Sequence, residues 1–570
     1  MRLKLQFLGC LLCVSLAHAA AAGAAVPTQF IAKIHTEALG RAPDPQGWTS
    51  AVGYFQTNGC SQLTLQSWAS QVLASQEFAG LQYDAGAATL VLYRAILNRE
   101  PDTAGFATWH QALDQGRTLQ AVVAALFGTA EFARLVPMIC AGGSYSFETQ
   151  GSYPAIPIPS AQSAGYGNLT ETGLQNLLDS SGPSATIYLQ QESVVYLTAP
   201  LVIPNGVTLA TYGLPGPSRH GLMARLVRAA PFAGAMVQIA LAEPNASGAL
   251  KSLWVDGQRT PASGFVAAAV NVEIFGGTGV TVDSNFISNS LGWSTVHSYG
   301  SLDGRPCAGN AITNNLITAY PSVHADQEWA DGISAGCENS LVENNEIVDP
   351  TDAGIVVFTA YPAAQRSLVT GNTVLSAGNS AFGGLGFDPL QGRSAQAPDF
   401  SGSAITRNTL WSGPNTHFII GLAVGTRAWY AQSSIGYGAQ ATDNTTAGIQ
   451  TLFGEGIAVS GMMSATVQGN VFDAVPIPQA WTSCPVGDVL ASVSAGLASG
   501  SIQPYSDVEV NGCMSDNSDP PPLVGAPAVA SRAASDPPAS GGGGGFGWLG
   551  IGGLALIAAL RRLSGRPAPL

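Results

Sequence analysis

Six short segments of the chain repeat one pattern of apolar and polar positions, V/I-x-x-N-x-I/V/L/F. The asparagines at its centre are Asn285, Asn315, Asn345, Asn372, Asn408 and Asn470, at intervals of 30, 30, 27, 36 and 62 residues. Short apolar strands at such a period predict a solenoid, in which each strand pairs with the equivalent strand one coil away. An asparagine at an inward bend can bond along the stack and satisfy buried backbone groups. The long last interval predicts one further coil without the pattern.

Strand-like alternation begins near residue 185, after an amphipathic helical pattern over residues 169–180. The helix is expected to cover the open edge of the first coil. The repeat resembles the right-handed parallel β-helix of pectate lyases and related polysaccharide-active proteins, and we assign residues 165–515 to it. This resemblance implies a polysaccharide substrate or ligand. It does not separate lyases and glycoside hydrolases from a non-catalytic surface or adhesion protein that uses the solenoid as a spacer.

Helical periodicity precedes the solenoid and contains a duplication. LGRAPDPQGW at residues 39–48 recurs as LNREPDTAGF at residues 97–106, and SQEF at residues 75–78 recurs as TAEF at residues 129–132. In each copy a proline ends one helix, and the following Asp44 or Asp102 is placed to cap the next. The pattern resembles a helical domain of unknown function from exported bacterial proteins and the phycobilisome linker domain. Residues 28–140 are therefore predicted to form a small all-α domain, in a chain that is otherwise mostly β.

One coil carries a polar insertion, HADQEWAD at residues 324–331. Sixteen residues separate Asn315 from Gly332, whereas eight separate Asn345 from Gly354 in the next coil. Only 10% of the chain is charged, so acids gathered in one enlarged loop indicate a site, since loops on a rigid scaffold often carry function.

Alignment of the strands brings further polar groups to the same rim, because it places His297 one coil before Ser334 on the outward face. The predicted catalytic residues are His297, His324, Asp326, Glu328, Asp331 and Asp352. The predicted substrate-binding residues are Trp293, Arg305, Trp329 and Asp388.

Three interpretations of this rim remain open. Paired carboxylates can protonate a glycosidic oxygen and activate water. Alternatively, Asp326, Glu328 and Asp331 can hold Ca²⁺ and neutralise a uronate, while Arg305, His297 or His324 removes a proton. The third interpretation is structural: Asp331 simply caps a turn before Gly332.

The net charge of −14 and the presence of only three lysines exclude a basic surface for nucleic acid. Residues 1–19 have the charged start, apolar run and A-x-A end of a signal peptide. Six cysteines follow it, and an even number in an exported chain predicts disulfides. Proximity in sequence favours the pairs Cys60–Cys140, Cys307–Cys337 and Cys484–Cys513.

Residues 516–540 form a Pro/Ala/Ser linker, and residues 541–570 contain a glycine run, a short apolar segment and an arginine pair. The last segment resembles the GlyGly-CTERM sorting signal of proteobacterial surface proteins, which implies export and C-terminal sorting machinery as partners. The alternative is a plain membrane anchor. Both predict a Gram-negative cell-surface or extracellular location.

Overall fold

The computed structural model describes residues 25–143, 145, 164–229, 232–239, 247–258, 266, 268–300, 307–318, 330–359, 364–389, 398–426, 436–447, 451–462, 465–472, 474–476, 489–493 and 513–516. Every strand pairing within them is parallel, and the strands stack into three long sheets. The fold is the predicted right-handed parallel β-helix with a helical N-terminal region.

Sheet A contains β1 (Thr186–Leu189), β4 (Thr208–Thr211), β7 (Ala249–Lys251), β11 (Thr281–Asp283), β15 (Ala311–Thr313), β18 (Leu341–Glu343), β21 (Leu368–Thr370), β24 (Ala404–Thr406), β27 (Ala439–Thr442) and β30 (Ala465–Gln468). Sheet B contains β2 (Val194–Leu197), β5 (Ala224–Arg228), β8 (Leu253–Asp256), β12 (Phe286–Ser288), β16 (Leu316–Thr318), β19 (Glu346–Val348), β22 (Thr373–Ser376), β25 (Thr409–Ser412) and β28 (Thr445–Thr446).

Sheet C contains β3 (Leu201–Ile203), β6 (Val237–Ile239), β9 (Val272–Phe275), β13 (Ser294–Tyr299), β17 (Asp331–Gly336), β20 (Ala353–Phe358), β23 (Ala381–Asp388), β26 (Phe418–Val424), β29 (Thr451–Ser460), β32 (Val489–Val493) and β33 (Cys513–Asp516), with β31 (Ala474–Pro476) beside β29. A short pair, β10 (Gly277–Thr278) and β14 (Cys307–Ala308), lies between sheets. Each coil contributes one strand to each sheet in turn, so apolar side chains from all three sheets fill one continuous core.

The predicted asparagine stack is confirmed. The Oδ1 atom of Asn315 accepts hydrogen bonds from the backbone N–H and the side-chain amide of Asn285, at 2.9 and 3.0 Å. The same arrangement repeats through Asn345, Asn372 and Asn408. Asn444 continues it to Asn470 and belongs to the predicted unmarked coil. Its segment, ATDNTT, does not match the repeat pattern, because alanine and threonine stand at the two positions where the other coils have larger apolar residues.

A helix covers the first coil, as predicted. α9 (Glu171–Asp179; helices are numbered along the chain) buries Leu174 and Leu178 in the solenoid core. The side chain of Gln175 also donates to Val202 O and accepts from Val202 N, at 3.0 and 2.9 Å. The helix therefore closes the apolar end of the stack.

The N-terminal helices are α1 (Thr28–Ala38), α2 (Pro45–Asn58), α3 (Gln62–Leu73), α4 (Gln76–Gly80), α5 (Ala85–Leu92), which continues as a π-helical turn at Tyr93–Leu97, α6 (Thr103–Asp114), α7 (Leu119–Phe127) and α8 (Ala130–Ile139). Asp44 caps α2 and Asp102 caps α6, as predicted, each by accepting from a backbone N–H at 2.8 Å. The duplication also repeats an ion pair: Arg41 binds Glu77 through two nitrogens, and Arg99 binds Glu131 likewise.

These helices pack along the outer face of sheet B. Leu375 and Trp411, which point away from the solenoid core, lie in the same apolar cluster as Phe30 of α1. Polar contacts also connect the helices to the solenoid: the Gln29 amide donates to Asp349 at 3.3 Å. The helical region and the solenoid therefore share a buried interface, which the sequence alone did not indicate.

A buried charge network crosses this interface. Glu100, on the helical side, accepts from Arg94 at 2.7 Å and from Arg225 of β5 at 2.8 Å. Arg225 also binds Asp256. Both guanidinium groups lie over the ring of Trp254, at 3.9 and 4.1 Å from its centroid. Four charged groups thus compensate one another out of water.

Replacing Glu100 by glutamine is expected to lower the free energy of unfolding by about 3–5 kcal/mol, because it leaves two buried guanidinium groups with one carboxylate. Glu77→Gln is the matched control, since its pair with Arg41 is partly exposed and such pairs contribute roughly 0–1 kcal/mol. Urea denaturation of both variants measures the difference. Equal losses would show that the buried network does not hold the interface.

Two of the three predicted disulfides are confirmed. Cys60 is bonded to Cys140, and Cys307 to Cys337 on the adjacent coil, with Cα atoms 5.5 and 5.0 Å apart. Cys484 lies outside the described residues, so its pairing with Cys513 stays a prediction.

The signal peptide, the linker at 516–540 and the terminal segment at 541–570 also lie outside the described residues. Within the described part of the chain, no single helix has the length and apolar composition to cross a membrane, and α7 with α8 meets that test only as a pair bent by 69°.

Candidate active site on sheet C

Glycines at the start of sheet C strands set which side chains face outward. A β-carbon at Gly332 would lie 2.7 Å from Ile347 in the interior, and Ile333 also belongs to the core. Because two successive residues face inward, the strict alternation of a strand is interrupted. Asp331 and Ser334 consequently share the outward face, where the Ser334 hydroxyl donates to Asp331 Oδ2 at 2.7 Å.

The next two coils repeat this arrangement. Ile333 pairs with Ile355 and then Leu385, and each of these follows a glycine whose β-carbon would strike a core side chain. The predicted alignment of the Gly–apolar strands is therefore confirmed, as is that of His297 with Ser334. Asp388 lies beside Phe358, also as predicted.

Three buried carboxyl groups from three successive coils form the acid cluster, defined as Asp331, Asp352 and Asp388. Asp331 begins β17, and its Oδ1 atom accepts from Ala353 N of the next coil at 2.9 Å. Asp352 immediately precedes β20, and Asp388 ends β23 with Oδ1 accepting from Thr426 Oγ1 at 3.0 Å. Asp352 Oδ1 and Asp388 Oδ2 are buried and have no hydrogen-bond partner among the described residues.

Burial raises the pKa of all three carboxyls, because a charged carboxylate loses its hydration. The pKa of Asp331 rises to about 7 although Ala353 N–H and the Ser334 hydroxyl favour its charged form. Burial and then the charges of Asp331 and Asp388 raise the pKa of Asp352 well above its usual value. Burial raises the pKa of Asp388 to about 8. Near neutral pH the cluster therefore holds protons and titrates as a set.

An aromatic strip adjoins the acid cluster on the same face. The half-buried ring of His297 stacks on Tyr299 at 4.3 Å between centroids and on Phe358 at 5.6 Å, and Trp293 meets its edge at 6.2 Å. The Tyr299 ring in turn contacts Phe275 at 4.8 Å. Flat apolar faces with polar edges are the surfaces on which sugar rings can rest.

His297 differs from the base that the sequence suggested. Burial lowers its pKa to about 3, and its Nδ1 atom has no hydrogen-bond partner among the described residues. A neutral imidazole with so low a pKa is a weak proton acceptor. Its ring contacts favour a role in stacking.

The structure brings together five of the predicted site residues: Trp293, His297, Asp331, Asp352 and Asp388. The other five, His324, Asp326, Glu328, Trp329 and Arg305, lie outside the described residues, so their roles stay predictions. Two of the three predicted Ca²⁺ ligands are among them. Across the described residues, no group of three or more His, Cys, Asp or Glu side chains is arranged to hold a metal ion.

Asp331 does not serve as the cap of a local turn. It starts a strand, and although Ser334 of the same strand donates to its Oδ2 atom, its Oδ1 atom accepts from Ala353 N of the next coil.

Sequence reasoning missed Glu273, Phe275, Tyr299 and Phe358, all of which line this face. Register would have found them, because Val272 pairs with Val296 and so places Glu273 beside His297 and Phe275 beside Tyr299. The segment VNVEIF lies before the first asparagine of the repeat. No repeat asparagine precedes it, so the pattern did not give the register of this strand with its neighbours.

Residues 69–136 match the family described as "Domain of unknown function (DUF4214)", a description that gives no activity. No curated protein sequence matches the chain. Among solved structures, the N-terminal fragment of gene product 12 from bacteriophage phi29 is similar over 62% of this chain and 64% of its own, at 10% identity and a TM-score of 0.39.

The surface protein and adhesin PfbA of Streptococcus pneumoniae is similar over 55% of this chain and 95% of its own, at 11% identity and a TM-score of 0.30. The A-module of the mannuronan C-5 epimerase AlgE6 from Azotobacter vinelandii is similar over 63% of this chain and 98% of its own, at 14% identity and a TM-score of 0.28. The parallel strand pairings show the fold directly.

Proposed function

We propose that the protein binds a polysaccharide along the outward face of sheet C and hydrolyses it with the acid cluster. The observation that carries this proposal is the set of three buried carboxyls on successive coils, two of which present an oxygen with no hydrogen-bond partner among the described residues. Glycoside hydrolysis needs one carboxylic acid to protonate the leaving oxygen and one carboxylate to act on the sugar or on water. Carboxyls that raise one another's pKa supply both forms at one pH.

The hydrogen bonds support a division of the two roles between Asp331 and Asp352. Asp331 accepts from a backbone N–H and from the Ser334 hydroxyl, so it is the carboxyl best able to hold the negative charge and to act as base or nucleophile. Asp352 has an oxygen without a partner among the described residues and lies near two other acids, so it is the group that retains its proton and acts as general acid. The negative charge of Asp331 helps to keep Asp352 protonated, and Asp388 acts in the same direction at pH values where it is ionised.

The aromatic strip supports a polymeric ligand. Phe275 of β9 pairs in register with Tyr299 of β13, and Phe358 of β20 packs over Gly336, the residue that pairs with Tyr299 in the following coil. The strip therefore extends along the solenoid axis, with His297 beside Tyr299 on the same strand. A polysaccharide lying on it would present a glycosidic bond to the acid cluster. Proton abstraction from a uronate finds less support, because His297 is a poor base.

We propose export as the setting for this activity, through the signal peptide at 1–19 and the GlyGly-CTERM-like segment at 541–570. The two disulfides support an oxidising compartment, where such bonds persist.

The test is the release of reducing ends from a panel of soluble polysaccharides as a function of pH. The rate is expected to fall on the alkaline side of the profile, because the general acid Asp352, whose pKa burial and neighbouring acids raise well above its usual value, then loses its proton. The products should lack the ultraviolet absorbance of an unsaturated uronate. Binding without release of reducing ends, at every pH and with every polysaccharide, would support the non-catalytic surface protein instead. Unsaturated products would show that the reaction is an elimination.

A further inference from the structure

A fourth acid lies on the same face, two coils before Asp331. Glu273 of β9 is half-buried, and each of its carboxyl oxygens accepts one hydrogen bond, from Tyr299 Oη and from Gln238 Nε2, both at 3.0 Å. These contacts fix the carboxyl beside the half-buried ring of Phe275, whose centroid is 4.8 Å from that of Tyr299. With one hydrogen bond to each oxygen among the described residues, the carboxylate has lone pairs left to accept from a ligand hydroxyl.

The position of Glu273 separates it from the chemistry. Register places it beside His297, which lies beside Ser334, and Ser334 donates to Asp331. Two coil spacings of ~4.8 Å therefore lie between the strand of Glu273 and the strand of Asp331. A group at this distance cannot reach the bond that the acid cluster acts on, but it can hold a sugar further along the same polymer.

The charged residues on the described strands of this face are all acidic. The strands of sheet C from β3 to β26 contain no lysine or arginine, whereas they contain Glu273, Asp331 and Asp388, and Asp352 immediately precedes one of them. A polyuronate would bring a carboxylate on each sugar against these acids, with no cation on the described strands to balance it. Acids that are ionised would repel that carboxylate, and beside acids that hold a proton it would lose hydration without gaining an opposite charge. A chain of uncharged sugars meets no such penalty.

We propose that Glu273, Tyr299 and Phe275 form a distal sugar subsite, and that the glycan it takes is uncharged. The inference rests on the proposed function, since it assigns the substrate class and a positioning residue to the same face of sheet C. The carboxylate of Glu273 receives sugar hydroxyls, and the two rings receive the apolar face of the sugar. Occupation of this subsite holds the polymer in register over Asp331 and Asp352.

The experiment compares Glu273→Gln and Tyr299→Phe with the unmodified full chain. The substrates are soluble neutral polysaccharides (a β-glucan, a xylan and a galactomannan), with polygalacturonate as the anionic probe. On the neutral polymer that is cleaved, Glu273→Gln is expected to raise KM about tenfold, the effect of one charged hydrogen bond, and to leave kcat within about twofold. Tyr299→Phe keeps the ring but frees the carboxyl, so a smaller rise in KM is expected. Glu338→Gln, which alters an exposed pair with Arg366, is the control and should change neither constant.

The length of the substrate adds a readout that a merely structural role would not move. Oligosaccharides too short to reach Glu273 should be cleaved equally by the unmodified chain and by Glu273→Gln. The inference is overturned if Glu273→Gln lowers kcat and leaves KM unchanged, if short and long substrates respond alike, or if polygalacturonate binds as tightly as the neutral polymers.

Binding measured by calorimetry separates this inference from the proposed function. Neutral glycan that binds, weakens with Glu273→Gln and is never cleaved would sustain the subsite and defeat hydrolysis. Cleavage with an unchanged KM in Glu273→Gln would sustain hydrolysis and defeat the subsite.

Discussion

Replacing Asp352 by asparagine is expected to lower kcat by about 10²–10⁴-fold, the usual contribution of a positioned general acid. Asparagine matches the shape of the protonated carboxyl but has no proton of suitable acidity to give to the leaving oxygen. KM should change little, since Asp352 adjoins the aromatic strip without belonging to it. Initial rates on the cleaved polysaccharide, measured at the pH of maximal activity, check the effect.

The same variant is expected to be more stable than the unmodified chain at high pH. The folded-state pKa of Asp352 lies well above its ordinary value of 3.8, so the folded protein favours the protonated form. The resulting penalty is absent at pH values below the unfolded pKa and grows as pH rises toward the folded pKa. Asp352→Asn removes this penalty, so its free energy of unfolding should equal that of the unmodified chain near pH 4 and exceed it near pH 8. Urea denaturation at the two pH values measures the change.

Glu192 provides a matched control. It lies in the turn between β1 and β2, away from sheet C, where burial and then Asp84 raise its pKa to about 8. Its two oxygens are buried without hydrogen-bond partners in the described part of the chain. Glu192→Gln should therefore gain stability at pH 8, as Asp352→Asn does, but keep full activity. Loss of activity in both variants, or in neither, would contradict the assignment of Asp352 as the acid.

Replacing Asn345 by alanine is expected to lower the free energy of unfolding by about 3–5 kcal/mol. Its Oδ1 atom accepts from Asn315 N and Nδ2 at 3.1 and 2.9 Å, and its Nδ2 atom donates to Ile312 O and Asn372 Oδ1 at 2.8 and 2.9 Å. Alanine leaves backbone and amide groups of two neighbouring coils buried without partners, and it also leaves a cavity.

Asn470→Ala is the comparison, because Asn470 receives the same two hydrogen bonds from Asn444 but lies at the end of the ladder, where it is only partly buried. Water can replace its contacts, so a loss of about 1 kcal/mol is expected. Similar destabilisation by the two substitutions would mean that burial of the ladder contributes little.

The fold could be predicted because the solenoid imposes the same requirement on every coil. Each coil needs an inward amide at one bend, so Asn285 through Asn470 recur with apolar neighbours, and the period then fixes which strands are adjacent. The same register correctly placed Asp388 beside Phe358 and His297 beside Ser334. Because the coils repeat, residues far apart in sequence can be predicted to be neighbours from the repeat period alone.

The interface with the helices and the state of His297 could not be predicted from that pattern. Leu375 and Trp411 each follow an inward apolar residue, and such pairs show that both faces of a strand are covered without showing by what. The low pKa of His297 depends on burial by residues from several coils, which no single segment of sequence contains. Glu273 was missed because its coil has no marked asparagine before it.

The seam between the helices and sheet B changes how the protein comes apart. A solenoid held only by contacts between neighbouring coils unravels stepwise from its ends. Here the helical region contacts β5 through Arg225, β19 through Val348, β25 through Trp411 and the end of β28 through Ala447. The helical region therefore links coils that are far apart in the stack. Unfolding of any one of these coils must break part of the interface with the helices. Loss of structure therefore becomes cooperative over most of the solenoid and does not proceed one coil at a time.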